Sequence, residues 1–457
     1  MTEARATLVE GPVGRHLRSL TVPMIWGIAA IMSLNIVDTW FVAQLGERHL
    51  AAISFTFPVT MVLISLGIGL MAGTASALSR VVGGGDIQRV RRMTTDATLL
   101  ATALAVVVTV AGLASMEWVF RAMGADDALL PLIEDYMTVW YSGFVFFLVP
   151  MVGFGAIRAT GDSKLQSQIM IGVAVMNLFL DPLLIFGLAG LPRMEMQGAA
   201  LASVLARAAG LFVGYWALQH RKKLLAFSFP RLQEFWRSNR DVLHVGLPAA
   251  GTNMIIPLAA SIIVAIVATY GTDAVAGYGA ATRIEQIALV VYYAMSSMIG
   301  PFVGQNLGAH EYGRIEQAIS LCWKFCLWSG IALAVALVAS GPSLVGFFGA
   351  GEEVNRVGSA YLWIVPVSFG LNGVVMVINA AFNGLGKPLP AVAISMTRMF
   401  VLTVPLAYLG SLMWGVNGVF AGVAVANAMS GVMAWVWIRR HFHRQFAMES
   451  ETYGSRI

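Results

Sequence analysis

The chain has 457 residues, 58% of them hydrophobic and only 12% charged, with a formal net charge of +5. A soluble domain carries about 25% charged residues, so this composition, with a mean hydropathy of +0.75, excludes an ordinary soluble protein and describes a polytopic membrane protein whose partner is the lipid bilayer. The basic residues form no single patch, which argues against nucleic acid and for a part in membrane orientation.

Residues 1–17 are a tail with acids and no apolar core or A-x-A cleavage pattern, unlike a secretory signal. Twelve apolar segments follow, near 18–44, 50–80, 93–119, 129–157, 165–189, 197–220, 241–269, 275–306, 315–341, 354–383, 389–412 and 417–438. Each supplies the roughly 20 apolar residues that a spanning helix needs. The first contains Pro23, a plausible hinge, and then Asn35 and Asp38 in LNIVDTWFVAQLG. A carboxylate at membrane depth costs roughly 2.5–3.5 kcal/mol on insertion scales, so Asp38 needs a reason to be there.

Past the second segment, GGGD (83–86) lacks the Gly-Lys-Ser/Thr of a phosphate loop and reads as a tight turn. In the fifth segment Asn177 and Asp181 are four apart and share a helix face, and Pro182 can break the backbone ladder there. The sixth offers Ser203 and, one turn earlier, the small Ala199. Asn35, Asp38, Asn177, Asp181 and Ser203 can thus assemble a polar nest. The plain alternatives are a neutral, hydrogen-bonded acid at Asp38 and a helix-end cap at Asp181.

The segment 221–240, RKKLLAFSFPRLQEFWRSNR, is basic and amphipathic, suited to lying on the membrane surface. Beyond it, Arg283 and Glu285 are two apart and cannot face each other on a helix, so each needs its own partner. They are possible cavity groups or a structural ion pair, and Arg398 is equally ambiguous. Gly300, Gly304 and Gly308, like Ala75, Ser79 and Gly83, read as small-residue ladders for helix packing. Cys322 and Cys326 share a helix face, where side chains are poorly placed to bridge. The seven histidines show no metal-ligand spacing, and the spans carry no nucleophile motif or Walker loop, so neither an enzyme, a metal protein nor a primary pump is expected.

The chain repeats at an offset of 225: Gly46 with Gly271, Gly124 with Gly349, Gly161 with Gly386, and Arg89-Val90 with Arg314-Ile315. Six spans per half is an even number, so a parallel repeat about an axis along the membrane normal is expected. The halves are 18–220 and 241–440, with the linker 221–240 between them and a tail at 441–457. Lys and Arg concentrate in the even-numbered connections, while the odd ones carry only Arg48, Arg121, Arg193 and Arg356, which puts both termini in the cytoplasm. At the repeat offset Asp38 faces Ile263, Asn177 faces Leu402 and Asp181 faces Leu406, so whatever the acids do, one half does it. Burial in low dielectric disfavours a carboxylate's charged form, and two close carboxylates titrate as a pair; such a site can exchange a proton or attract a cation.

Together NIVDTWFVAQLG, RATGDSK, NLFLDPLLIFG with GAALAS, ATRIEQIAL and FNGLGKP resemble the multidrug and toxic compound extrusion (MATE) transporters over nearly the whole chain, and most closely their DinF-like branch. The resemblance implies a two-lobe all-α fold of twelve helices, rocker-switch alternating access, and export of bulky, often cationic, organic compounds. It implies a cation site at Asp38, Asn177, Asp181 and Ser203, where Ser203 replaces a threonine, and a hinge at Pro23. The C-lobe acids of the NorM-like branch are missing here. The expected protein is a monomeric antiporter of the inner membrane with no cofactor, coupled to H+ or, at Asp38, Asn177 and Asp181, to Na+. A flippase for a lipid-linked or polysaccharide precursor is the alternative.

Overall fold

The protein's structure, a computed structural model, describes residues 6–226, 232–347 and 351–454, with side chains to Phe442. Gly349, Arg231 and the end of the C-terminal tail, all used in the sequence reading, lie outside these. Every regular element among the described residues is helical: α1 (Val13–Ala43), α2 (Glu47–Gly83), α3 (Ile87–Ala122), α4 (Leu130–Ser142), α5 (Val145–Ala159), α6 (Ser163–Phe186), α7 (Glu195–His220), α8 (Leu232–Ala268), α9 (Thr272–Ala288), α10 (Val290–Gly308), α11 (Tyr312–Gly346), α12 (Glu352–Ile364), α13 (Phe369–Gly384), α14 (Pro388–Met396) and α15 (Val404–Gly454).

Nine stretches among the described residues are long and apolar enough to cross a membrane alone, and the bent pairs α4–α5 (44°) and α9–α10 (45°) make eleven. One of the nine, Pro388–Phe442, has 55 residues. At 1.5 Å per residue it would reach about 80 Å, far beyond a hydrocarbon core of about 30 Å. The chain in fact turns back at Trp414 (φ −137°) and Gly415 (φ 60°, ψ −143°). Gly410 and Gly418 then face each other so closely that a Cβ on either would lie 2.0 or 1.9 Å from the other's carbonyl oxygen. That stretch is therefore two antiparallel spans, and the total is twelve.

Glycines at positive φ and side-chain caps fix where helices begin. Asp86 accepts from the Arg89 N–H at 2.9 Å and Asp162 from the Leu165 N–H at 3.1 Å, so each satisfies an amide that the first turn leaves open. The repeat is written in the backbone as well. Gly46 (φ 118°, ψ 171°) and Gly271 (φ 106°, ψ 170°) precede α2 and α9 in the same rare conformation. Gly161 (φ 77°) matches Gly386 (φ 71°), and Gly85 (φ 80°) matches His310 (φ 60°) at the same offset. The halves also differ. α2 is one helix, whereas its counterpart breaks at Leu289, and Thr397–Thr403 is a π-helical turn where α6 is regular.

The chain divides into two compact units: residues 1–10, 18–251 and 304–310, and residues 11–17, 252–303 and 311–457. In the first, Trp140, Phe144 and Phe147 stack at 5.5–6.1 Å between ring centres, within a core shared by α2, α3, α5 and α7. Small residues bring backbones together there. A Cβ on Gly83 would lie 2.0 Å from the Gln305 carbonyl oxygen, and one on Gly308 equally close to that of Arg80. The ladders read from the sequence are packing surfaces. In the second unit Gly330 meets Gly370, and Gly373 lies against the buried Tyr292 ring.

One proline behaves differently from expectation. α6 runs unbroken through Pro182 to Phe186 and ends only at Gly187 (φ 72°), so the break expected at Pro182 is absent. α1 likewise continues through Pro23. The carbonyl that Pro23 deprives of its helical donor is that of Ser19. The Ser163 hydroxyl of α6 donates to it at 3.4 Å, and the Ser167 hydroxyl donates to the Pro23 carbonyl at 2.5 Å.

A carboxylate pair in the first unit

Asp38 is on α1, Asn177 and Asp181 are on α6, and Ser203 is on α7. The i, i+4 spacing of Asn177 and Asp181 puts both on the α6 face turned toward α7, and both are buried, at 1% and 0% exposure. The Asn177 amide N–H2 lies 3.4 Å from Asp181 Oδ1 and 3.4 Å from Ser203 Oγ, and Ser203 Oγ–H reaches Asp38 Oδ2 at 3.5 Å. The opposite amide orientation satisfies both ends better. Its nitrogen donates to Asp38 Oδ1 at 2.8 Å and Asp181 Oδ2 at 3.1 Å, while its oxygen accepts from the Ser203 backbone N–H at 3.1 Å. One amide nitrogen thus reaches both carboxyl groups, which interact electrostatically with each other.

Four of the sequence-selected residues therefore meet. Ala199 is buried one turn before Ser203, packed with Val42, Ile185 and Met196, where its small side chain lets α7 approach. Asn35 does not join: its side chain is exposed, and only its backbone carbonyl is engaged, by Thr39. Two residues were overlooked. Arg207, one turn beyond Ser203, interacts electrostatically with Asp38 and sits 5.2 Å over the Phe147 ring. Tyr136 on α4 interacts with Asp38, Asp181 and Arg207. Arg207 was findable as an intramembrane cation at i+4 from Ser203; Tyr136 carried no signal, because an aromatic in a span is ordinary.

The second unit holds a separate polar group. The Tyr361 hydroxyl donates to Glu285, Arg398 Nη1 donates to Asn372 Oδ1 at 2.5 Å, and Arg398 interacts electrostatically with Glu285. Tyr278 and Phe420 pack on Tyr361 at 5.5 and 5.0 Å. Glu285 thus has its own partner, as the two-residue spacing required. Arg283 is exposed and, among the described residues, forms no ion pair. Cys322 and Cys326 are free thiols. No three His, Cys, Asp or Glu side chains among the described residues converge on a metal-sized site.

The MatE family profile matches residues 23–183 and 248–409, two stretches that begin 225 residues apart. A protein of Shewanella oneidensis named FAD transporter is 36% identical over 439 residues, covering 95% of this chain and 96% of its own. The probable multidrug resistance protein YpnP of Bacillus subtilis is 26% identical, with 94% and 96% covered. Among solved structures, that of the Vibrio cholerae MATE transporter VcmN superposes with a TM-score of 0.90 at 27% identity, over 94% of this chain and 97% of that one. Twelve spans, an internal repeat that the profile itself matches twice, and likeness along nearly the full length all lead to one assignment: the chain belongs to the MATE family of multi-pass membrane transporters.

Proposed function

We propose that the protein is an H+-coupled antiporter of the inner membrane that exports organic compounds, with Asp38 and Asp181 as its coupling pair and Na+ as the second ion to test. One observation carries the reading: the first half gathers two carboxyl groups, Asp181 buried and Asp38 half-buried, on one asparagine amide, where the repeat has Ile263 and Leu406. A proton entering from the outer side neutralises the pair, and Asn177 and Ser203 then exchange acceptors. The change reaches α1 at Asp38, and the Pro23 region, tied to α6 by the Ser163 and Ser167 hydroxyls, is the hinge that absorbs it. Rocker-switch alternation, a monomer with both termini in the cytoplasm, and ions as the only coupling agents complete the proposal.

For the cargo, identity to the FAD transporter exceeds identity to the multidrug relatives by ten points or more, which makes a flavin dinucleotide the first compound to assay and a cationic dye the second. Arg283, without an ion pair among the described residues, offers a charge to a diphosphate. The test is uptake of both compounds by inside-out proteoliposomes under an imposed pH gradient and, separately, a Na+ gradient. Gradient-driven uptake of at least one compound, lost in Asp38→Asn, is expected. Full transport by Asp38→Asn would remove the pair from the mechanism.

A further inference from the structure

At the start of α3 and of α8, within the first unit, a cavity of about 650 Å³ is lined by Arg89, Arg91, Arg92 and Arg237, with Asp86 and Glu234 at its wall. It is built rather than accidental. Ala226 is fastened to α3 by its N–H donating to Thr95 Oγ1 at 2.9 Å, and Asn239 Nδ2 of α8 donates to the Asp96 carbonyl at 3.3 Å. Two of the arginines are neutralised: Arg92 by the fully buried Asp96 at 2.8 Å, and Arg89 by Asp241 at 3.4 Å. The other two are not. Arg91 and Arg237 have no carboxylate within ion-pair distance among the described residues, and Arg91 Nε is buried without a hydrogen-bond partner. A buried, unbonded guanidinium N–H is costly, which points to an acceptor arriving from outside.

The surroundings say which acceptor. Across 86–96, 221–226 and 232–241 the sequence has eight Lys or Arg against four Asp or Glu, an excess of four positive charges. Beside the cavity, Leu232 and Trp236 are one turn apart on α8 and lie 71% and 56% exposed. A basic cavity edged by an exposed leucine and tryptophan fits an amphiphile: a phosphate for the arginines, acyl chains for the apolar ridge. The positive-inside balance puts this face on the cytoplasmic side, where anionic headgroups attract basic segments. We propose that the cavity binds the phosphate of an anionic glycerophospholipid from the inner leaflet, and so ties the start of α8 to the bilayer surface.

The full-length protein in detergent, titrated with dioleoylphosphatidylglycerol or dioleoylphosphatidylcholine and read by native mass spectrometry, tests this. The wild type should retain phosphatidylglycerol in preference to phosphatidylcholine, and Arg91→Gln with Arg237→Gln should bind it about thirtyfold more weakly, as loss of two surface cations implies. The double lysine variant, which keeps both charges, should hold most of the affinity and so separates charge loss from misfolding. Excess inorganic phosphate should not displace the lipid. Equal retention of the two lipids, unchanged binding by the double glutamine variant, or displacement by inorganic phosphate alone would each overturn the assignment, the last by showing a free anion as the ligand.

Discussion

Asp38 and Asp181 make the same demand on a substitution. Asparagine keeps the size and most hydrogen bonds but cannot lose a proton, so Asp38→Asn and Asp181→Asn should each insert normally and lower gradient-driven transport by more than about tenfold, a cost of roughly 1.4 kcal/mol or more in the coupled step. Glu285 provides the control. It bonds Tyr361 in the second unit, and glutamine can still accept that hydrogen bond. If only the first half couples, Glu285→Gln should keep coupled flux within about twofold, well under 1 kcal/mol; a loss as large as that of Asp38→Asn would mean two coupling sites. The four meeting residues were legible because an acid in an apolar run is conspicuous and i, i+4 spacing fixes a shared face. Asn35 was misjudged for the same geometric reason: three residues from Asp38 on a helix it can face the same space, yet its exposed side chain bonds none of the four. Arg207 was passed over when basic residues were counted by connection, which hides a cation placed mid-span.

Among the elements, the helix contacts turn on small residues, and glycines with and without neighbours can be told apart. A Cβ on Gly308 would lie 2.0 Å from the Arg80 carbonyl oxygen, which belongs to rigid backbone and cannot step aside. Gly172, inside α6, has nothing within 4 Å of its Cβ position. Gly308→Ala should therefore destabilise the protein by about 1–3 kcal/mol, as overpacking does. Gly172→Ala should be neutral or add up to about 1 kcal/mol through helix propensity. Thermal unfolding in detergent compares them, and equal midpoints would refute the close contact. The number and placing of spans were legible from apolar run length. The bends were not: those between α4 and α5 and at Leu289 occur without proline at the break, because packing against neighbours selects them. Conversely Pro182 promised a break that the helix absorbs, since only one amide is missing there and α6 is held ahead of it by Ser163, Ser167 and the Asn177 cluster.

For the whole molecule, the repeat constrains both chemistry and topology. Its backbone marks, Gly46 with Gly271 and Gly161 with Gly386, were readable because only glycine takes those φ values without strain. Its departures, the break at Leu289 and the π turn at Thr397–Thr403, were not readable, because a helix interior states no register for its hydrogen bonds. Six spans per half is the feature with a directly measurable consequence. An odd number would invert the second half; an even number leaves every odd connection on one side. Asp127, between α3 and α4, and Gln88, at the start of α3, then lie on opposite faces, and the positive-inside balance predicts the first outside and the second in the cytoplasm. Cys322 and Cys326 are 1% and 0% exposed, so single cysteines can be read against a quiet background. A membrane-impermeant maleimide added to intact cells should label Asp127→Cys and leave Gln88→Cys unlabelled until the cells are opened. Glu353→Cys, at the start of α12 and equivalent to Ala128 by the repeat, should behave as Asp127→Cys does; labelling of Glu353→Cys only in opened cells would mean that the halves are inverted and would undo the parallel repeat.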